Sequence, residues 1–326
     1  MDSAPSVRLE AAKQLMALGR FEHAAAALRA LLGDHPSFLQ ARYELAIACY
    51  RIGALDEAVE RFATVAAVNE IGLRSHEFYD AILALPDHRK GLEILGTLLP
   101  RLPGATKMIE AYGRLLHKEA AAAGTPHGDI EVIGDSHAVP AFSPLVRCRV
   151  HFVGPRTLHY MSLRPIDLAG FGIAPDAKLV MVFGEIDCRS HMIEMAQRSG
   201  QSQRAVARRV ASRFVRTLAR AIERGAVQRA AICAILPPPP SYPDNPMFPA
   251  IGSAAERRDM AQILNDELAA AAAPADIGFL DFRAAYVDAD GFLDPARSDG
   301  TVHIDFRLSG PVEACLNELF GPPPGG

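Results

Sequence analysis

Small and large apolar residues recur with a period of 34 residues in the first third of the chain. Small residues repeat at Ala12 and Ala46, Gly19 and Gly53, and Ala24 and Ala58. Large apolar residues repeat at Phe21 and Leu55, Leu28 and Phe62, and Leu31 and Val65. A small residue lets two helices approach closely, and a glycine allows the tight turn between them. The pattern therefore predicts two consecutive pairs of antiparallel helices.

The period and the order of these residues resemble the tetratricopeptide repeat, in which helix pairs stack side by side. Pro36 closes the first copy. Two copies leave an apolar end uncovered, and we expect it to be covered by irregular helices in residues 76–123, which are broken at Pro86, Pro100 and Pro103. The resemblance implies a concave surface that binds peptides or partner proteins. Alternatively, the repeats only buttress the rest of the chain.

From Asp129 onwards, short apolar runs alternate with helical stretches. The predicted strands are residues 129–133, 149–153, 178–183, 229–235 and 277–281. Residues 204–224 and 253–272 carry apolar side chains at helical spacing, and the first of these stretches has an arginine-rich opposite face, which is typical of a solvated surface. Such alternation predicts an α/β domain with a parallel sheet.

A change in composition marks the boundary between these two regions. An alanine-rich run in residues 118–124 is followed by Thr125-Pro126-His127-Gly128, which is typical of a helix end. The sequence therefore predicts an all-α domain over residues 1–124 and an α/β domain over residues 128–320. Residues 321–326 contain only Pro and Gly, and we expect them to be a disordered tail.

Composition narrows the classes of function. The chain of 326 residues is 49% hydrophobic and 22% charged, which suits a globular protein with two cores. A net charge of −4 gives no overall attraction to nucleic acid. Because no apolar run reaches the roughly 20 residues that span a bilayer, and residues 1–20 lack the pattern of a signal peptide, we expect a cytoplasmic protein. The five cysteines lack paired spacing and are expected to be reduced core residues.

Chemically active residues follow the predicted strands. These segments are Gly134-Asp135-Ser136-His137, Gly154-Pro155-Arg156, Gly184-Glu185-Ile186-Asp187-Cys188-Arg189 and, near the end of the chain, Asp299-Gly300-Thr301-Val302-His303. Ligand sites of parallel sheets lie beyond the carboxyl ends of the strands. A serine nucleophile needs a base, and that base needs an acid. Ser136, His303 and Asp299 meet this requirement, and Asp305 is a second candidate for the acid.

The run Ile133-Gly134-Asp135-Ser136 after a first strand, together with the late Asp and His, resembles the SGNH/GDSL hydrolases. The resemblance covers the second domain and implies a three-layer, flavodoxin-like parallel sheet. It also implies that Ser136 is the nucleophile, that His303 is the base with Asp299 as its acid, and that Gly154 helps to form the oxyanion hole. No cofactor or metal is implied.

Two features depart from that family. Ile186 occupies the place of an asparagine that donates to the oxyanion, and the acid lies four residues before the histidine instead of three. Backbone amides, Arg189 or His191 would then stabilise the oxyanion. We therefore assign oxyanion or substrate binding to Gly154, Glu185, Asp187, Arg189 and His191.

The segment after the third strand has three other interpretations. Asp187, Cys188 and His191 could bind zinc together with His137 and His303. Glu185, Asp187 and Arg189 could form an ion-pair network that only fixes the loop. Cys188 could be a nucleophile activated by Arg189 and His191. Ser136 matches more of a multi-part pattern than Cys188 does. We also expect the stiff loop at residues 237–240 to line the pocket, although it could equally be a surface loop.

These observations lead to two hypotheses. The first is a serine esterase or acyltransferase that acts on small acyl esters, which the resemblance suggests are often esters of carbohydrates. The second is an inactive domain of the same fold in an adaptor that binds a protein partner through its repeats.

Overall fold

The computed structural model describes residues 4–68, 75–101, 105–125 and 127–323. Contacts between Cα atoms divide the chain into two compact units, Met1–Glu119 and Ala120–Gly326. The domain ranges derived from the sequence, 1–124 and 128–320, stay a prediction. Pro103 and residues 324–326 of the predicted tail lie outside the described residues.

The first unit is helical in its described residues. Its helices are α1 (Pro5–Ala17), α2 (Phe21–Asp34), α3 (Leu39–Arg51), α4 (Leu55–Ala66), α5 (His76–Ala84), α6 (His88–Leu98) and the greater part of α7 (Thr106–Ala122). A short 3-10 turn, Leu99–Arg101, follows α6. The order of these helices confirms the prediction of two antiparallel helix pairs followed by irregular helices.

The two predicted repeats have the same turn geometry. Gly19 and Gly53 have φ angles of +73° and +80°, a region that glycine occupies without strain. After each glycine, one amide donates to the carbonyl five residues earlier at 2.9 Å; the pairs are Arg20 to Leu15 and Ala54 to Cys49. The small residues at the helix contacts are fully buried: Ala12, Ala24, Ala46 and Ala58. The 34-residue period is thus a repeat of structure as well as of sequence.

Helix α5 covers the open side of the second helix pair. The rings of Phe62 in α4 and Phe78 in α5 stack at a centroid distance of 5.4 Å and an interplanar angle of 26°. Helix α5 begins after Ser75, whose hydroxyl accepts a hydrogen bond from the amide of Phe78, and Pro86 lies between α5 and α6. The predicted covering role of this region is therefore confirmed for α5.

The second unit contains a five-stranded parallel sheet. Its strands are β1 (Ile130–Gly134), β2 (Cys148–Phe152), β3 (Lys178–Val182), β4 (Arg229–Cys233) and β5 (Gly278–Leu280). Their spatial order is β2-β1-β3-β4-β5, and in the register Ile130 lies opposite Cys148 on one side and Lys178 on the other. This is the flavodoxin-like order, in which the sheet edge beyond β1 and β3 is the expected ligand site.

Helices cover both faces of the sheet. They are α8 (Ala138–Phe142), α9 (Leu158–Ser162), α10 (Met192–Ser199), α11 (Gln203–Gly225), α12 (Ala254–Ala272) and α13 (Gly310–Phe320). Alternate strand residues enter different cores, as the period of two in a strand requires. Val132 and Val180 pack with α8 and α13, whereas Ile133 and Met181 pack with α9, α10, α11 and α12. The domain therefore has three layers, as predicted.

The fourth strand is shorter than predicted. It ends at Cys233 instead of residue 235, although Ile235 is buried. Beyond that point, the side chain of Asn265 in α12 replaces a neighbouring strand. Its Oδ1 accepts from the Ile235 amide at 2.7 Å, and its Nδ2 donates to the Ile235 carbonyl at 2.9 Å. A buried backbone needs such partners, and here a helix supplies them.

The second of the predicted long helices starts as its sequence indicates. The Ser253 hydroxyl accepts from the Glu256 amide at 3.2 Å, and the Glu256 carboxylate accepts from the Ser253 amide at 2.7 Å. This reciprocal pair satisfies two amides at the start of α12. Across the described ranges, no helix is both long and apolar enough to cross a membrane.

Candidate active site

Ser136 lies directly beyond the carboxyl end of β1. Its Oγ is 3.0 Å from Nε2 of His303, although 167 residues separate the two in the sequence. This distance lies within the range of about 2.6 to 3.2 Å that a serine and its general base require. Strand β1 ends in Gly134, where a Cβ atom would lie 2.6 Å from Cβ of Ala138 and 2.8 Å from the Val182 carbonyl oxygen. The turn that carries Ser136 therefore packs tightly on the sheet.

A short hairpin orients His303. The Asp299 amide donates to the His303 carbonyl at 3.0 Å, and Ser298 and Ile304 form an isolated antiparallel bridge. Gly300 has a φ angle of +85° at the tip of this turn. The closed turn brings Oδ2 of Asp299 to 3.3 Å from Nδ1 of His303. This geometry accommodates a separation of four residues between the acid and the histidine.

The carboxylate of Asp299 also accepts two hydrogen bonds from Thr301. The Thr301 amide donates at 2.8 Å and its hydroxyl at 2.6 Å, both to Oδ1. Burial alone would raise the pKa of Asp299, but the interactions with His303 and Thr301 outweigh it and lower the pKa. Asp299 is therefore held as a carboxylate beside the imidazole.

Asp305, the second candidate for the acid, has a different partner. Its Oδ1 accepts from the amide and from Nε of Arg307, both at 2.9 Å. Burial raises its pKa, but the bonds to Arg307 reverse the shift and lower the pKa. Asp299, and not Asp305, has the hydrogen bond to His303 in this structure.

His137 packs against His303. The rings of His137 and His303 have a centroid distance of 4.7 Å. His137 is buried, with Nδ1 3.3 Å from Oδ1 of Asp135. Burial lowers its pKa, but the hydrogen bond and charge of Asp135, with Glu185 nearby, more than compensate and raise the pKa. His137 was predicted only as a possible metal ligand, and its contact with His303 has no local signal in the sequence.

Gly154, one of the proposed oxyanion donors, adjoins open space. Gly154 has a φ angle of +76°, and a Cβ built there would have no neighbour within 4 Å. The His137 amide already donates to Oδ1 of Asp135 at 2.9 Å. Helix α8 begins at Ala138 and is only five residues long, so Ser136 lies before the helix and not at its opening.

A buried ion pair follows β3. Nη2 of Arg189 is 3.3 Å from Oε2 of Glu185, and both side chains are buried. The guanidinium of Arg189 lies over the ring of Tyr242 at 5.0 Å, and that of Arg257 lies over the same ring at 5.2 Å. Burial raises the pKa of Tyr242, and Glu185 raises it further. No local sequence pattern indicates that Tyr242, in the proline-rich loop after β4, contacts Arg189, because only the fold brings the two together.

Asp187 holds the start of α9. Its Oδ2 accepts from the Leu158 amide at 2.6 Å, and its Oδ1 accepts from the His159 amide at 3.0 Å. The side chain is fully buried, and burial raises its pKa to about 7. Both oxygens are occupied by backbone amides, and the role of Asp187 in substrate binding stays a prediction.

Cys188 and His191 are the remaining candidate residues of the segment after β3. Cys188 is buried, and burial, with help from Asp187 and Glu185, raises its pKa far above that of an ordinary thiol, which disfavours a nucleophilic thiolate. His191 ends a π-helical turn, and its ring lies 6.4 Å from that of Phe248. Over the described part of the chain, no group of three or more His, Cys, Asp or Glu side chains is arranged to hold a metal ion.

Two cavities lie near the carboxyl ends of the strands. One of about 20 Å³ is lined by Asp135, His137 and Glu185 together with apolar residues. A larger groove of about 430 Å³ is lined by Pro237, Pro238 and residues of α12. The residues that line this groove do not include Ser136 or His303. The proline-rich loop therefore lines a groove at this edge of the sheet, next to β4 and β5.

The first unit is similar to a known repeat family. Residues 15–70 match the family model of the tetratricopeptide repeat. No curated protein matches the chain. The match to the repeat family covers only part of the chain, so it describes the first unit alone.

Three solved structures are similar to the chain. A Streptococcus pneumonia structure whose name refers to platelet activating factor is 12% identical, covers 71% of this chain and 98% of its own, and has a TM-score of 0.41. LAE5, an alpha/beta hydrolase enzyme from the metagenome of Lake Arreo, Spain, is 14% identical over 59% and 94% of the two chains, with a TM-score of 0.38. Phospholipase A1 from Streptomyces albidoflavus NA297 is 16% identical over 58% and 98%, with a TM-score of 0.33. These scores are too low to carry an argument about function.

Proposed function

We propose that the second unit is a serine hydrolase of the SGNH/GDSL type that forms an acyl-enzyme on Ser136. The observation that supports this most directly is the chain of contacts from Oγ of Ser136 to Nε2 of His303 at 3.0 Å and from Nδ1 of His303 to Oδ2 of Asp299 at 3.3 Å. A nucleophile, a base and an orienting acid in this order are the parts that acyl transfer requires.

In the proposed reaction, Oγ of Ser136 attacks the carbonyl carbon of an ester while Nε2 of His303 accepts the hydroxyl proton. The carbonyl oxygen becomes an oxyanion, and its negative charge collapses to expel the alcohol, which receives the proton from His303. Water, or the hydroxyl of an acceptor, then attacks the acyl-enzyme with His303 again acting as base. Asp299 orients the imidazole through Nδ1 and stabilises its positive charge.

The oxyanion would be stabilised by backbone amides at Ser136 and Gly154. Ile186 cannot donate from its side chain, so the third donor of the resembling family is replaced or absent. Arg189 is the nearest candidate by sequence, but its guanidinium is engaged with Glu185 and Tyr242. Two amide donors in place of three would still stabilise the oxyanion, but less strongly, so the reaction would be slower.

The substrate class follows from the resemblance, which suggests small acyl groups on alcohols, including those of carbohydrates. Transfer to a sugar hydroxyl and hydrolysis share the same acyl-enzyme, and the acceptor that reaches it first determines the product. We propose in addition that the repeats bind a protein partner, on the basis of the match over residues 15–70.

Hydrolysis of p-nitrophenyl acetate by the full chain tests the proposal. We expect Ser136→Ala and His303→Ala to lose activity by about three orders of magnitude or more, while Ser143→Ala, at the end of α8, keeps it. Circular dichroism checks the folding of each variant. A fluorophosphonate probe should label the wild type at Ser136 and leave Ser136→Ala unlabelled.

The adaptor hypothesis gives the opposite result. If the folded wild type reacts with neither the ester nor the probe, the hydrolase is excluded for these substrates, and protein binding through the repeats becomes the better description. Ile186 in the place of an asparagine is the observation that favours this outcome.

A further inference from the structure

Helix α11 carries two different sets of arginines. In its first turns, Arg204 and Arg208 bind the carboxylate of Glu267 in α12 at 2.9 Å. In its second half, Arg213, Arg216, Arg220 and Arg224 recur at intervals of three and four residues, which places them along one face of the helix. None of these four has an ion pair or a hydrogen bond to its side chain within the described residues.

These four arginines line a groove together with Arg164. The groove has a volume of about 460 Å³ and lies between α11 and the segment that follows α9. The Thr217 hydroxyl fixes that segment by donating to the Ser162 carbonyl at 3.2 Å. The guanidinium of Arg164 lies over the ring of Tyr160 at 4.8 Å. The groove is therefore a built concave surface and not only an exposed helix face.

The groove is strongly positive. Among the residues that the structure describes, five arginines line it and no acidic side chain does. Glu223 is the one acidic residue in the sequence of α11, and it makes no ion pair in the described part of the chain. Like charges at this spacing along a helix repel each other, and the chain as a whole has a net charge of −4. Within the described residues, these guanidinium groups are therefore free of ion-pair partners and accessible to an anionic ligand.

We infer that this groove binds a small ligand that carries two or more linked phosphate groups. A guanidinium donates two parallel hydrogen bonds to a phosphate, which is the reason that arginine predominates in such sites. The row from Arg213 to Arg224 extends over about 16 Å, because each helical residue advances the chain by 1.5 Å. A single phosphate cannot reach all of this row, whereas linked phosphates can follow it.

Two other kinds of ligand fit less well. A carboxylate brings one negative charge, whereas a terminal phosphate brings up to about two, so phosphates neutralise five arginines in less space. Long nucleic acids favour a broadly positive surface, which a chain with a net charge of −4 does not offer. The volume of the groove is within the usual range of about 300 to 1,000 Å³ for small-molecule sites.

This groove is separate from the candidate active site. Helix α11 ends at Gly225, shortly before β4 begins at Arg229, so its last turns approach the amino ends of the strands. Ser136 lies beyond the carboxyl end of β1. The inference therefore does not depend on the proposed hydrolase activity.

Calorimetric titration of the full chain with sodium tripolyphosphate tests the inference at an ionic strength of about 0.15 M. We expect saturable binding that R216Q/R220Q weakens by about tenfold or more, because each lost guanidinium removes charged hydrogen bonds. Glutamine keeps the helix propensity of arginine. R216K/R220K, which keeps the charge but loses the forked donors, should give an intermediate affinity.

The matched control removes two exposed arginines that lie outside the groove, as R198Q/R209Q. The inference is overturned if the wild type shows no saturable binding, or if the control weakens binding as much as R216Q/R220Q. It is also overturned if orthophosphate binds as tightly as tripolyphosphate, or if a single-stranded DNA oligonucleotide binds through the same arginines more tightly than tripolyphosphate does. Circular dichroism of each variant separates loss of binding from loss of folding.

Discussion

Two aspartates near the same edge of the sheet have pKa values that are shifted in opposite directions. Asp299 is largely buried, but it contacts an imidazole and a threonine, and its pKa is lowered. Asp187 is fully buried and accepts from the backbone amides of Leu158 and His159, and burial raises its pKa to about 7. Burial opposes charge in both cases. The partners therefore decide whether the carboxyl group serves as a charged acid or as a structural acceptor.

The largest effect should come from removing the charge of Asp299. We expect Asp299→Asn to reduce turnover by about 10⁴-fold, because an amide favours the wrong tautomer of His303 and cannot stabilise its positive charge. Asp305→Asn is the matched control, since Asp305 contacts Arg307 and not His303. Ester hydrolysis by both variants measures the difference. Equal losses in the two variants would contradict the assignment of Asp299.

Asp187 should affect stability as a function of pH. An ordinary aspartate ionises near pH 4, whereas Asp187 in the folded chain holds its proton to about pH 7. Between these values the folded state binds more protons than the unfolded state, so Asp187 destabilises the fold progressively as the pH rises from about 4 to 7, and the loss is complete above that range. At about 1.4 kcal/mol per pKa unit, the loss amounts to a few kcal/mol.

Hydrogen exchange of peptides from β1 and β3 measures this effect in the second unit alone. We expect the wild type to lose protection against hydrogen exchange, relative to Asp187→Asn, as the pH rises from about 4 to 7. The asparagine does not titrate, so the variant lacks this loss. Comparison at each pH removes the intrinsic pH dependence of exchange. A difference in protection that stays constant from pH 4 to pH 7 would show that Asp187 is charged throughout.

A smaller effect should follow from Thr301. Thr301→Val removes the 2.6 Å hydrogen bond to Asp299, so the pKa of that carboxyl group should rise and turnover should fall by about tenfold. Thr301→Ser keeps the hydroxyl and should keep most of the activity. The acidic limb of the pH–rate profile should move to higher pH in the valine variant only.

The smallest effect should come from Thr157, which lies beside Asp187 at the start of α9. The Thr157 hydroxyl accepts from the Tyr160 amide at 2.9 Å and so shares the capping of α9 with Asp187. We expect Thr157→Ala to destabilise the second unit by about 1 kcal/mol, less than the change linked to Asp187. Protection of the same sheet peptides checks this, with Thr157→Ser as the control. A larger loss than that of Asp187→Asn would reverse the order of importance of the two caps.

The sequence could predict the parts of the molecule that depend on periodicity. The 34-residue repeat gave the helix pairs, and the apolar runs gave five strands with ends correct to within two residues. Ser136 and His303 were also predictable, because the fold class brings the carboxyl ends of strands together and the chemistry requires a base. The assignment of their catalytic roles remains a prediction.

Contacts that depend on side chains from distant segments could not be predicted. Asn265 ends β4 by binding the backbone of Ile235, and no pattern in either segment indicates that pairing. Asp187 looked like a substrate ligand because it follows a strand, but its partners at Leu158 and His159 lie about 30 residues earlier. The preference of His303 for Asp299 over Asp305 depends on the hydrogen bonds that close one hairpin turn.

The close packing at Gly134 has a consequence for directed evolution. Even one methyl group at this position would meet Ala138 and the Val182 backbone below 3 Å, and would displace the turn that carries Ser136. A mutant library directed at the surroundings of Ser136 should therefore keep Gly134 fixed. Gly154 should also be kept, because its φ angle of +76° would strain any other residue even though a side chain there would meet open space.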